Sequence, residues 1–235
     1  AHSMPHTPLY SSKDFYGKSK AGLYGDVIEE IDFNMGRIMK KLIDENLHKN
    51  TIVVFTSDNG PWLPYDTHGG SAGLLREGKG TTWEGGQRVP GLFWGGSIKP
   101  GTISDLGSTL DIFPTFLDFA GIDNINDRII DGISMKKTLT NHVSNQRKSI
   151  LFYRQREIYA VRLNDFKAHF ITQGAYDYNG SNHYNARGYV KRNEKKILDK
   201  PLLYNLNDDP SEKFNIANQH PEVIEKIKEL IDDHN

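Results

Sequence analysis

Three short stretches of the chain bring together side chains that can do chemistry and backbone that can hold them still. Ser57-Asp58-Asn59-Gly60 follows directly on the apolar run Thr51-Ile52-Val53-Val54-Phe55-Thr56. Ligands of open α/β sheets gather beyond the carboxyl ends of strands, and an adjacent Asp58 and Asn59 offer two hard oxygen donors for Ca²⁺ or Mg²⁺. Asp-Asn-Gly is also favourable turn chemistry, so these residues alone leave a metal ligand and a plain turn both open. In Gly78-Lys79-Gly80-Thr81-Thr82-Trp83-Glu84-Gly85-Gly86 one lysine stands between glycines, where the backbone can approach an anion and the ammonium can neutralise it. This is not a nucleotide-binding loop: Gly80 stands where Ser or Thr would hold magnesium, no apolar strand precedes it, and glycines rather than a helix follow. The alternative is a surface loop with an exposed lysine. In Met4-Pro5-His6-Thr7-Pro8-Leu9 two prolines stiffen an extended segment that can aim an imidazole, although such a histidine is more often structural or solvated.

Other chemistries find no support. His68, His142, His183, His220 and His234 have no comparable setting, and neither a zincin helix nor a Gly-x-Ser-x-Gly elbow is present. Zero cysteines exclude disulfides, thiolate metal sites and a cysteine nucleophile within these 235 residues, without fixing the compartment. Lys and Arg total 29 against 30 Asp plus Glu, so no basic excess drives binding to nucleic acid. No run approaches the roughly 20 apolar residues of a membrane-spanning helix. Ala1-His2-Ser3 has neither an initiator methionine nor the pattern of a signal peptide, and an upstream segment is expected.

The elements that must position these stretches follow from periodicity. Leu23, Val27, Ile28, Ile31, Met35, Ile38, Met39, Leu42 and Ile43 recur at three and four, predicting a long amphipathic helix with one buried stripe over residues 23–47. The run Thr51–Thr56 has no alternation and predicts a strand covered on both faces in a parallel sheet. Residues 57–101 are rich in Gly and Pro, with Val89–Trp94 the one strand candidate. Leu106–Ala120 is apolar at helical spacing; Pro114 sets the helix start near Ile112 or Phe113, and Gly121 ends it. After about residue 145 come short strands at Ser149–Tyr153, Ile158–Leu163 and Phe166–Thr172, with Asn164-Asp165 as a tight turn. Residues 174–200 predict loop with a solvated basic run from Lys191 to Lys196, Leu202–Leu206 a further strand, and Pro221–Asp233 a terminal helix. Two parts result: residues 1–145, an α/β portion, and residues 146–235, a small antiparallel sheet plus helix.

Taken in order, these motifs resemble the type I sulfatases, closest to the arylsulfatase A and N-acetylgalactosamine-6-sulfatase branch. Tyr24-Gly25-Asp26, Arg88-Val89-Pro90, Asp111-Ile112-Phe113-Pro114-Thr115, Phe166-Lys167-Ala168-His169-Phe170, Leu203-Tyr204-Asn205-Leu206 and Asp209-Pro210-Ser211-Glu212 extend the likeness over nearly the whole chain. The resemblance implies an alkaline-phosphatase-like α/β sulfatase fold, present in part. It implies that Asp58 and Asn59 are calcium ligands, that Lys79 contacts the sulfate, and that His6 stands near the leaving oxygen. Lys167 and His169, on one face of their strand, are candidates for substrate contact in a C-terminal layer that walls the cleft. The family attacks with a formylglycine made from a Cys/Ser-x-Pro-x-Arg motif, whereas Ser3-Met4-Pro5-His6-Thr7 has Thr where the Arg belongs. The chain thus looks like the C-terminal half of a sulfatase, inactive alone, whose N-terminal half supplies the formylglycine and further carboxylates. The expected substrate is a sulfated glycan, and the resemblance implies a periplasmic, secreted or lysosomal setting. A non-catalytic module binding metal or sugar, and a phosphate or phosphonate ester hydrolase of the same superfamily, are the rival readings.

Overall fold

The computed structural model describes residues 1–122, 127–175 and 194–234. Helix α1 spans Gly22–Asp44. Its first turn is fixed from outside: the Asp26 carboxylate accepts backbone N–H bonds from Gly17, Lys18 and Ser19 at 2.7–3.0 Å. The predicted stripe is only partly covered. Of its residues Val27 is buried, while Ile28, Ile38 and Ile43 are exposed; Gly25 and Asp26 are the other buried residues of the helix.

Strand β1, Val53–Thr56, departs from the parallel, doubly covered strand expected from its composition. Its strand partner is β2, Gly91–Trp94, and the pairing is antiparallel, with Val53 opposite Trp94 and Thr56 opposite Gly91. Its apolar residues are half-buried. A continuous apolar run records that both faces want cover, not which neighbour supplies it or in which direction. The short helix α2 spans Glu84–Gln87 between the two strands in sequence. Helix α3, Ile112–Ala120, starts where Pro114 requires and stops at left-handed Gly121, φ 68°. Helix α4 spans Lys136–Asn141.

The C-terminal sheet has the order β3-β4-β5-β6, all antiparallel, from Ser149–Arg154, Glu157–Leu163, Phe166–Thr172 and Lys196–Asn205. Strand β6 begins six residues before the predicted Leu202, inside a segment expected to be loop. Ile171 and Thr172 at the end of β5 pair with Ile197 and Lys196, and backbone pairing of this kind asks nothing of side-chain polarity. The remainder of that predicted loop, residues 176–193, including Lys191 in the basic run, lies outside the described residues.

Period-two alternation splits the sheet's two faces. Val161, Ala168 and Leu203 form one row across β4, β5 and β6 and pack beneath Ile224 and Ile227 of α5, Pro221–His234. The opposite face carries Lys167, His169 and Tyr204, and it meets Trp83 of the glycine-rich segment. A second link joins the sheet to the α3 region. Arg147, just before β3, grips the fully buried Asp111 carboxylate through Nε at 2.9 Å and through Nη2, and Asp111 also accepts the Ser108 and Ile133 N–H groups. No helix among the described residues is long and apolar enough to cross a membrane.

Candidate functional site

The loop that leaves β1 and the glycine-rich loop are sewn together through backbone. Gly60 N–H donates to Gly86 O at 3.0 Å, and Lys79 N–H donates to Pro61 O at 2.8 Å. Contact this close leaves no room for side chains. A Cβ on Gly60 would stand 1.8 Å from Gly85 O, and one on Gly78 2.4 Å from Pro61 O. The glycines that suggested an anion-binding loop are therefore also the condition for bringing the Lys79 backbone against Pro61, just past the Asp58-Asn59 turn.

Trp62, next in the chain, collects the remaining pieces. The His6 ring lies 5.4 Å from the Trp62 ring, and Lys79 Nζ lies 5.0 Å from the indole centroid. His6 and Lys79 thus share Trp62 as a neighbour. His6 is exposed, and its Nδ1 lies 2.7 Å from Thr7 O. A carbonyl can only accept, so Nδ1 carries a proton and Nε2 is the nitrogen left to exchange one. Asp58 is exposed and Asn59 half-buried. Asn59 Nδ2 donates to Gly60 O at 3.0 Å, which leaves Oδ1 as its acceptor, and Ser57 Oγ donates to Asn59 O at 3.0 Å. These two oxygen donors suit a hard cation as part of a donor set. No cluster of three or more His, Asp or Glu that could hold a metal ion occurs among the described residues.

Lys167 and His169 do share one face of β5, but that face is closed. Both are 0% exposed, and their polar contacts are protein groups. Lys167 Nζ donates to Glu84 Oε1 at 2.8 Å and lies 3.5 Å from Glu212 Oε1, while His169 Nε2 lies 2.7 Å from Glu212 Oε1. His169 also stacks on Trp83 at 4.0 Å. Burial, helped by the Lys167 charge, outweighs the opposing bond to Glu212 and brings the His169 pKa down to about 4. Burial alone would raise Glu212; the His169 bond and the Lys167 charge outweigh it and hold the carboxyl below its ordinary range. Sequence reasoning did not assign Glu84, Glu212 or Arg76 to this cluster. The one local signal was a lysine and a histidine on the same face of an otherwise apolar strand.

A family model described as Sulfatase matches residues 1–122, and one described as the C-terminal region of aryl-sulfatase matches residues 145–235. The chain belongs to the sulfatase family. Human arylsulfatase A is 38% identical over 239 residues, covering 96% of this chain and 46% of that protein. Rat N-acetylgalactosamine-6-sulfatase is 36% identical over 245 residues, covering 97% and 46%. A solved sulfatase from Pseudoalteromonas sp. superposes with a TM-score of 0.85 at 27% identity, over 97% of this chain and 46% of that one. A solved sulfatase from work on glycosaminoglycan metabolism by Bacteroides thetaiotaomicron gives 0.78 at 30% identity, over 97% and 48%. The architecture is accordingly part of the alkaline-phosphatase-like α/β sulfatase fold, with its smaller antiparallel sheet and helix at the C-terminus. This sulfatase chain spans about half the length of the curated relatives it matches.

Proposed function

We propose that this chain forms the C-terminal part of a sulfuric ester hydrolase acting on sulfated glycans. The observation that carries the reading is the meeting of His6 and Lys79 around Trp62, beside the Asp58-Asn59 turn and under backbone bonds that fix the turn against the lysine loop. In this reading Lys79 Nζ lies against the sulfuryl oxygens and offsets the charge that grows on them as the S–O bond breaks. His6, as the imidazolium with Nδ1–H on Thr7 O, gives its Nε2 proton to the bridging oxygen and is left neutral, so the alcohol leaves neutral. Asp58 and Asn59 would hold Ca²⁺, or Mg²⁺, as two of six to eight oxygen donors. When bound, such an ion supplies Lewis-acid stabilisation of the sulfuryl group. The remaining carboxylates and the formylglycine nucleophile are assigned to an N-terminal half that completes the site. Residues 1–145 and 146–235 form two parts in this proposal, a division supported by the two family regions, which end and begin at residues 122 and 145.

The test is an assay of the protein with and without its upstream half on an aryl sulfate and the matching aryl phosphate, followed by sulfated oligosaccharides. The expected outcome is calcium-dependent sulfate release by the longer protein and none by the 235-residue chain. Faster release of phosphate would favour the phosphate ester rival. Glycan binding without release by the longer protein would favour a non-catalytic module.

A further inference from the structure

The segment from Arg76 to Glu84 closes on itself through a bond from Gly85 N–H to Arg76 O at 2.8 Å, with Lys79 carried in between. On either side of Lys79, Gly78 and Gly80 offer no side chain to hold the loop. Both of its ends instead terminate on one residue far along the chain. Glu212 Oε2 accepts the Glu84 N–H at 2.6 Å, and the main-chain oxygen of Glu212 accepts Arg76 Nη1 at 2.7 Å. The other carboxylate oxygen is 2.7 Å from His169 Nε2.

Rings complete the clamp. The Arg76 guanidinium lies 3.7 Å over Trp83, and Trp83 stacks on His169, which Glu212 itself orients. Lys167 stands between Glu84 and Glu212. The cations Lys167 and Arg76 balance the anions Glu84 and Glu212, and buried His169 adds no charge when neutral. Directional bonds to buried charges fix geometry where packing alone would leave a glycine loop free to shift.

We propose that Glu212 is a positioning residue for Lys79, its carboxylate and main-chain oxygen setting the two ends of the lysine loop from the C-terminal region. The proposal rests on the reading of Lys79 as the group that contacts sulfate. It gives the C-terminal region a share in the reaction without a catalytic residue of its own. Misplacing a charged group by about 1 Å costs up to roughly 10²-fold in rate, so a clamp that never touches substrate can still govern turnover.

Two measurements on the intact enzyme decide the matter, with Glu212→Gln as the variant, because it keeps shape and one acceptor while removing the charge. The first is amide exchange. The Lys79, Gly85 and Gly60 amides should exchange about tenfold faster or more, while those of Val161 and Ala168 in the sheet keep their protection. Unchanged loop exchange, or equal acceleration in loop and sheet, would overturn the proposal. The second is a double-mutant cycle in kcat. Glu212→Gln should lower kcat about tenfold or more with KM little changed, and it should cost nothing further in a Lys79→Ala background. The same fold-loss in both backgrounds indicates a general structural role and also overturns it. If Lys79→Ala leaves kcat intact, the reading of the site fails, while the exchange result still decides whether Glu212 holds the loop. Should Glu212→Gln not fold, Arg76→Lys at an exposed residue cuts the same clamp, since lysine lacks the planar stack on Trp83.

Discussion

At the level of single residues, Lys79 is the group whose charge matters most in the proposed reaction. Lys79→Ala in the intact enzyme should lower kcat on an aryl sulfate by roughly 10²-fold or more, the scale for losing one stabiliser of developing charge. A rise in KM with kcat preserved would make it a clamp on the ground state instead. His169 gives a prediction in pH. Its folded value of about 4 lies below the ordinary 6.5. Between those values the unfolded chain binds a proton there that the folded chain does not. Stability is therefore full above about pH 6.5 and falls as pH drops through about 4. A proton on His169 would also face the charges of Lys167 and Arg76, against the attraction of Glu212, and the lowered Glu212 adds loss of the same sign at the acid end. Thermal midpoints measured from pH 7 to 4 should decline, and His169→Gln should flatten the decline. Asp58, Asn59, Lys79 and His6 could be singled out as candidates from the sequence because each stands in a local motif of glycine, proline or turn residues. Glu212 and Arg76 could not, because their partners lie 128 and 136 positions away and local pattern carries no trace of such pairings.

Elements were legible where burial follows a period. Helix α3 with its Pro114 start and Gly121 stop, strands β3 to β5 and helix α5 stand within a residue or two of where apolar spacing placed them. The start of β6 and the direction of β1 were not legible, since both depend on a neighbour. Two substitutions test how the elements are joined. Gly60→Ala sets a methyl against Gly85 O and must part the two loops, an overpacking cost of about 1–3 kcal/mol readable as a lower denaturant midpoint. Ile227→Ala empties a fully buried place beneath the sheet and should cost about 2–5 kcal/mol by the same measurement.

For the molecule as a whole, the open stripe of α1 and the exposed Phe113 and Phe116 of α3 leave apolar surface uncovered in the 235-residue chain. That chain should associate in solution, or bind the N-terminal half proposed for it, and sedimentation should report a mass above one copy. A monodisperse monomer would contradict this. The two regions matched by separate family models also exchange buried charges: Arg147 serves Asp111, and Lys167 serves Glu84. These pairs limit how such proteins can be recombined. A chimera that takes residues 1–122 from one relative and 145–235 from another inherits half of every pair from each parent. Where the parents differ at any of these positions, a charge is stranded in the interior at a cost of about 3–5 kcal/mol. Crossovers in this family should therefore succeed when both members of each pair travel together, however well the backbones superpose.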